Sequence, residues 1–222
     1  MTKKIQNQIL YNLHFLKSCG YQYISDVNLK ENKSDTFDLP NDLNLLSNIV
    51  SECSLCALSK TRRNTIFGTG NINSNIMIIG DFPSISEDES GTILSGKYGQ
   101  MLQSIVTNVL KMRIEDVYFT NIFKCKKSNF EIEQTFHQNC ISYLFKQMEL
   151  VKPRLIVLLG NDTYKYFFNK SDEDMNIIHG QFEEYNGIKV ISTYHPSFLV
   201  RNPSYKKDVM NHMLKVKSYL EN

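Results

Sequence analysis

Short apolar runs alternate with longer amphipathic segments over the last two thirds of the chain. Four short runs are predicted strands, and the run 76–79 has the continuous apolar character of a strand that is buried on both faces. The four runs lie at residues 76–79, 117–120, 155–159 and 188–192. Helical spacing of apolar residues predicts helices over about 100–111, 131–151 and 205–220. This alternation predicts a three-layer α/β/α domain around a central, mostly parallel four-stranded sheet.

A strong turn signal lies in the segment 180–193. Asn186 and Gly187 form a dipeptide that is typical of a two-residue hairpin loop, because both residues tolerate positive φ. The segment therefore resembles a hairpin, and we expect its second half to supply the last strand of the sheet.

The first forty residues follow a different pattern. Apolar residues recur at roughly helical spacing between Ile5 and Leu16, and Gly20 is a typical helix stop. A polar stretch from 26 to 41 then has the composition of a linker. We divide the chain into an N-terminal helical arm with its linker (1–41) and a domain (42–222), whose first helix begins at about Asp42.

Composition limits the function classes. The chain has 222 residues, 41% hydrophobic residues and a net charge of +2, so any nucleic-acid binding must come from local basic patches. The sequence contains no run of eighteen apolar residues, and its N-terminus is too polar for a signal peptide. We therefore expect a cytoplasmic protein, and we expect it to be a monomer.

Four of the five cysteines indicate a metal centre. Cys53 and Cys56 form a C-x-x-C pair, and Cys125 and Cys140 follow far downstream. Thiolates are ligands for zinc and for iron–sulfur clusters, and their spacing alone does not separate the two. Unligated buried cysteines are the third alternative. We interpret Cys19, in the arm, as an ordinary thiol.

Polar residues follow each predicted parallel strand. The carboxyl ends of parallel strands meet at one edge of a sheet, where ligands of α/β proteins bind. The residues at this edge are Gly80-Asp81-Phe82-Pro83, Asn121, Gly160-Asn161-Asp162 and Tyr194-His195-Pro196-Ser197. An acid, an amide and an imidazole are therefore expected to converge.

These motifs together resemble the family 4 uracil-DNA glycosylases, the iron–sulfur branch of the uracil-DNA glycosylase superfamily. The resemblance runs from Cys53 to about Leu214. Besides the four cysteines it is carried by Gly80-Asp81-Phe82-Pro83-Ser84, Gly91-Thr92-Ile93-Leu94-Ser95-Gly96-Lys97-Tyr98-Gly99, Thr120-Asn121-Ile122-Phe123-Lys124-Cys125 and His195-Pro196-Ser197-Phe198-Leu199-Val200-Arg201. The resemblance implies the fold of that superfamily and favours a [4Fe–4S] cluster over zinc.

Asn121 and His195 are the residues that the resemblance assigns to the base. An Asn side chain presents a donor and an acceptor that complement N3–H and O4 of uracil, whereas cytosine offers the reverse pattern. Alternatively, the side chain of Asn121 caps a turn. His195 would donate to O2 of the departing uracil, where negative charge develops. Its alternative role is that of a buried, hydrogen-bonded histidine.

Asp81 is the candidate for orienting or deprotonating the attacking water. Alternatively, it holds its own loop by accepting backbone N–H groups. Asp81 replaces the usual Glu of the family pattern, and Leu94 replaces the Phe that stacks on the base. Gly80, Phe82, Leu94 and Asn121 are thus the predicted substrate-binding residues, with Phe82 as a hypothetical substitute for the lost stacking face.

The segment after His195 is the predicted DNA contact. Ser197, Leu199 and Arg201 are its residues, with Leu199 or Phe198 as an apolar wedge and Arg201 on a phosphate. Lysines of two clusters would add phosphate contacts. They are Lys124, Lys126 and Lys127, with Lys206 and Lys207. We interpret the acidic run 87–89 as a solvated loop. The alternative is a functional role, because the family tends to be acidic at this point.

The predicted function is that of a monofunctional uracil-DNA glycosylase acting in base-excision repair. It would release uracil from DNA and leave an abasic site. One alternative is a glycosylase for another deaminated base. A second is a DNA-binding protein of the same fold with weak or no catalysis, and a third is a metal-bearing redox protein.

Overall fold

The computed structural model describes residues 39–128, 134–170 and 178–221. The predicted N-terminal helix and Cys19 lie outside these ranges. The chain divides at residue 38, and the unit described here begins at Leu39. None of the described helices has the length and apolar character needed to cross a bilayer.

Five strands form one sheet. They are β1 (Ile76–Gly80), β2 (Tyr118–Asn121), β3 (Leu155–Leu159), β4 (Phe182–Tyr185) and β5 (Ile188–Thr193). Their order is β2-β1-β3-β5-β4, and all pairs are parallel except the antiparallel pair of β4 with β5. The four predicted strands and the hairpin are confirmed. The sheet has one strand more than the four predicted, because the first half of the hairpin, β4, also pairs with β5.

Seven α-helices lie in the described part of the chain. They are α1 (Leu43–Ser51), α2 (Ile85–Ser90), α3 (Gly96–Ile105), α4 (Gln134–Val151), α5 (Asn161–Phe168), α6 (Pro196–Arg201) and α7 (Lys206–Glu221). Helix α3 continues into a π-helical turn, Val106–Leu110. The helix predicted from Asp42 is confirmed as α1, which Asp42 caps through its side chain.

The three predicted layers are confirmed by the two faces of the sheet. Alternate residues of a strand point to opposite faces, so Met77 and Ile79 pack with helices α4 and α5. Ile76 and Ile78 point the other way and pack with α3, α6 and α7. Because both faces are covered, the central strands are apolar at nearly every position.

Candidate active site

The carboxyl ends of the parallel strands do meet at one edge. Gly80 pairs with Asn121, and Leu159 pairs with Thr193, so the residues that follow these strands lie side by side. A cavity of about 50 Å³ opens there. Its lining includes Gly80, Phe82, Leu94, Tyr98, Asn121 and His195. The structure therefore brings all four predicted substrate-binding residues and the predicted histidine to one cavity.

Asn121 presents an unused donor to this cavity. The residue is only 7% exposed, and its Nδ2 has no hydrogen-bond partner within the described residues. Buried polar atoms are nearly always paired, so an unpaired donor at a cavity wall requires an explanation such as a ligand. Gly80 makes room for the amide, because a Cβ at residue 80 would overlap Asn121 Oδ1. The alternative role of Asn121 as a turn cap would give its side chain a backbone partner.

The loop after Asn121 is bonded to the loop after β1. The N–H of Ile122 donates to the carbonyl of Gly80 at 2.9 Å, and the N–H of Phe123 donates to the carbonyl of Asp81 at 2.9 Å. These two bonds continue the strand pairing past the ends of β1 and β2. As a result, the amide of Asn121 and the carboxyl of Asp81 are held by one connected piece of backbone.

His195 has a defined tautomer. It caps helix α6, and the backbone N–H of Ser197 donates to its Nδ1 at 3.1 Å. A backbone N–H can only donate, so Nδ1 is the acceptor and the neutral ring carries its proton on Nε2. Removal from water lowers the pKa of His195, although Asp81 and Glu87 oppose this. The ring is therefore suited to act as a neutral donor.

Asp81 lines a second, larger cavity of about 420 Å³. This cavity shares His195 with the first, and its wall also includes Asp162 and Arg201. Burial raises the pKa of Asp81, and the like charge of Asp162 raises it further, whereas His195 lowers it. The carboxyl group also accepts the N–H of Phe82, which lowers its pKa. Both interpretations of Asp81 are thus compatible with its position beside His195.

Only part of the acidic run is solvated. Glu87 is partly buried and lines the cavity, and Asp88 is fully buried, so the prediction of a solvated loop was wrong for these two residues. Ser84 and Glu87 form a capping box on helix α2. Glu87 Oε1 also accepts the N–H of Leu94 at 2.8 Å, which holds Leu94 at its positive φ of 66°. The spacing Ser84-x-x-Glu87 is the sequence signal that could have identified this box.

Asp88 faces away from the cavity, toward the cysteine loops. It is 0% exposed, accepts the N–H of Arg63 at 2.9 Å and pairs with Lys126 Nζ at 3.1 Å. Glu89 is the solvated member of the run, with a surface ion pair to Arg63 at 3.5 Å. Helix α2 therefore connects the two regions through adjacent carboxylates.

Aromatic rings line the smaller cavity. Phe82 stacks on Phe123 with ring centroids 4.1 Å apart, so one face of the Phe82 ring is already covered. Tyr98 and Phe119, which the sequence did not single out, also line the cavity. The ring of Tyr98 stands edge-on to that of His195 at 6.4 Å. Lys127 Nζ also lies over the Phe82 ring, 5.6 Å from its centroid. Phe82 as a residue that stacks on a base stays a hypothesis.

Two residues of the predicted DNA contact lie elsewhere than expected. Leu199 is 2% exposed and packs into the core, so its position argues against a wedge at Leu199 and leaves Phe198, which is partly exposed. Lys124 is also buried and cannot reach a phosphate. Arg201 is exposed and Ser197 is partly exposed, and the assignment of both to DNA stays a prediction.

The four cysteines converge from three segments. Cys125 lies close enough to Cys53 and Cys56 for their charges to interact, and Cys140 is similarly close to Cys125 and Cys56. Burial raises the pKa of Cys140 to about 12, and Arg62 Nη1 donates to Cys125 Sγ at 3.2 Å. Among the described residues, no three His, Cys, Asp or Glu side chains form a ready ligand set for a single metal ion.

Comparison with known proteins adds independent findings. The model of the Uracil DNA glycosylase superfamily matches residues 67–216. The chain is 33% identical over 187 residues to the type-4 uracil-DNA glycosylase of Saccharolobus solfataricus, covering 81% of this chain and 87% of that protein. It is 31% identical over 183 residues to the type-4 uracil-DNA glycosylase of Thermotoga maritima, covering 81% and 95%. The corresponding protein of Archaeoglobus fulgidus is 31% identical over 182 residues, covering 77% and 91%.

Proposed function

This chain belongs to the uracil-DNA glycosylase superfamily, and we propose that it hydrolyses the N-glycosidic bond of deoxyuridine in DNA. The products are free uracil and an abasic site, the substrate of the later steps of base-excision repair. The observation that supports this proposal best is the buried, unpaired Nδ2 of Asn121 in a cavity that also contains His195.

Asn121 supplies the recognition of the base. Its Nδ2 donates to O4 of an extruded uracil, and its Oδ1 accepts the N3–H. Cytosine has an acceptor at N3 and an amino group at C4, so the same side chain would meet both groups with the wrong polarity. A fixed amide thus rejects the normal base by leaving buried polar groups unpaired.

His195 supplies the stabilisation of the leaving group. As the bond between C1′ and N1 breaks, its electron pair moves onto the uracil ring. The Nε2–H of a neutral imidazole then donates to O2, where part of this charge resides. Ser197 orients the ring, since its backbone N–H occupies Nδ1.

Asp81 acts as the general base that accepts a proton from the attacking water. The water oxygen bonds to C1′ and its proton passes to the carboxylate of Asp81, which must therefore be ionised. The same negative charge stabilises the positive character of the sugar in the transition state. Asp81 lines the larger cavity together with Arg201, and its chain neighbours Gly80 and Phe82 line the smaller cavity.

We further propose that Cys53, Cys56, Cys125 and Cys140 hold a [4Fe–4S] cluster in preference to zinc. The donor set fits, because four soft thiol ligands lie near one another and no disulfide joins them. The resemblance to the iron–sulfur branch of the superfamily favours the cluster over zinc. When bound, the cluster supplies a covalent brace between the loop before β1, the loop after β2 and helix α4. The chemistry on the base belongs to the residues at the strand ends.

An excision assay tests the proposal. Single- and double-stranded oligonucleotides carrying uracil, hypoxanthine or xanthine are incubated with the protein, and abasic sites are then cleaved with alkali. We expect cleavage at uracil, with a loss of about 100- to 1000-fold in Asn121→Ala and in His195→Ala. Asn44→Ala, at an exposed position on α1, is the control and should retain full activity.

The assay also separates the alternatives. Cleavage at hypoxanthine or xanthine without cleavage at uracil would reassign the base that the cavity accepts. Binding of every oligonucleotide without any cleavage would contradict the proposal and favour a non-catalytic DNA-binding protein. Unfolding temperatures of the variants exclude a folding defect as the cause of any lost activity.

A further inference from the structure

A buried lysine contacts the backbone of the recognition residue Asn121. Lys124 is 2% exposed, and its Nζ lies within hydrogen-bonding distance of three oxygen atoms. The distances are 2.6 Å to the carbonyl of Asn121, 2.7 Å to Thr120 Oγ1 and 2.7 Å to Gln147 Oε1. Such a group is rarely buried, so its surroundings must compensate for the lost hydration.

The three oxygens match the three donors of an ammonium group. The carbonyl of Asn121 and Oε1 of Gln147 can only accept. The hydroxyl of Thr120 has an acceptor for its own hydrogen in the carbonyl of Phe67 at 2.8 Å, which leaves its oxygen free to accept from Lys124. Each N–H of Lys124 is therefore used, and the side chain has one defined position.

The backbone of Lys124 contacts the region around the four cysteines. The N–H of Lys124 donates to the thiol of Cys140, and its carbonyl accepts the N–H of Ile66 at 2.8 Å. Lys124 thus touches a cysteine ligand through its main chain and the recognition residue through its side chain.

We propose that Lys124 is a positioning residue that fixes Asn121 in the orientation required to select uracil. The ammonium holds the carbonyl of Asn121 at the point where β2 ends, and the side-chain amide projects from that same residue into the cavity. Lys124 does not line the cavity and is too buried to contact DNA, so it acts through Asn121. This inference rests on the proposed function.

A double-mutant cycle in the excision rate tests this role. Lys124→Met, Asn121→Ala and the double variant are compared under single turnover on a single-stranded uracil oligonucleotide. We expect Lys124→Met to slow excision by about 10-fold when Asn121 is present and by less than about 3-fold when it is absent. An unrelated folding or electrostatic role of Lys124 would give equal losses in both backgrounds, and that result would overturn the proposal.

Two further variants complete the design. Lys189→Met makes the same change at a surface lysine of β5 paired with Glu184, and it should leave the rate unchanged. Thr120→Val removes one acceptor of Lys124 with little change of shape, so the cycle can be run even if Lys124→Met does not fold. It should show a smaller loss, of about 3-fold, that again disappears in Asn121→Ala.

Failure of the proposed function would look different from failure of this inference. If the wild-type protein released no uracil, the same cycle would be measured as equilibrium binding of an oligonucleotide with 2′-fluoro-deoxyuridine, whose glycosidic bond resists hydrolysis. Non-additive losses of affinity would support the role of Lys124 in base binding. Additive losses would contradict it, whatever the protein does to the base.

Discussion

The region around the four cysteines and the strand ends that carry Asn121 and Asp81, called the rim below, come from neighbouring stretches of the chain. They differ in whether their buried polar groups have partners. Near the cysteines, the buried carboxylate of Asp88 accepts the N–H of Arg63 at 2.9 Å and lies 3.1 Å from Lys126 Nζ. At the rim, the donor of Asn121 has no partner in the described part of the chain, and Asp81 lies near the like charge of Asp162.

This difference separates what holds the fold from what recognises a base. A paired buried group contributes to stability, and an unpaired one lowers stability until a ligand satisfies it. Substitutions in the cysteine region should therefore act on unfolding, and substitutions at the rim should act on excision. Three experiments, in order of expected effect, probe this division.

The largest effect should follow loss of a cysteine ligand. Cys140→Ser removes a buried thiol from the proposed cluster, and we expect loss of bound iron with destabilisation on the order of several kcal/mol. Iron content, visible absorbance and thermal unfolding measure it. Cys19→Ser, outside the proposed ligand set, is the matched control. An unchanged iron content in Cys140→Ser would remove Cys140 from the ligand set.

A smaller effect on stability should follow removal of Asp88. Asp88→Ala leaves Lys126 and the N–H of Arg63 without their partner, and we expect a loss of about 1–3 kcal/mol in the free energy of unfolding. Its neighbour provides the control, because the exposed pair of Glu89 with Arg63 should contribute at most about 1 kcal/mol. Denaturant titration compares Asp88→Ala with Glu89→Ala. Equal losses would show that burial of Asp88 adds nothing.

The smallest effect should appear at the rim as a shift of pH dependence. Burial and the charge of Asp162 raise the pKa of Asp81, so excision should fall as the pH decreases through this raised value. Asp162→Asn removes the like charge and should move this acidic limb to lower pH, with little change in unfolding temperature. The pH profile of the single-turnover rate measures it. A limb that stays in place would argue against Asp81 as the ionised base.

The sequence predicted the sheet and its active edge well, for a physical reason. Strands that are covered on both faces are apolar throughout, so β1 and β3 stand out from their surroundings, and the residues after them are then known. The short elements were missed. Helices α2, α5 and α6 have six to eight residues and depend on caps and tertiary packing, which a periodic pattern does not reveal.

The environments of single residues were the hardest to predict. Lys124 looks like any surface lysine in the sequence, because its acceptors come from β2 and from Gln147, more than twenty residues away. Leu199 follows the histidine motif directly, but the turn of α6 directs it into the core. In both cases the position depends on packing between distant segments, which local patterns do not contain.

Helix α2 is held at both the cavity and the cysteine region. Glu87 and Asp88 are adjacent, yet the first holds the backbone of Leu94 at the cavity and the second holds Arg63 beside the cysteines. Rotation of the helix about its axis would lengthen one set of bonds or the other. A helix of six residues, too short to be stable alone, is thereby clamped from two sides and serves as a rigid spacer between the two regions.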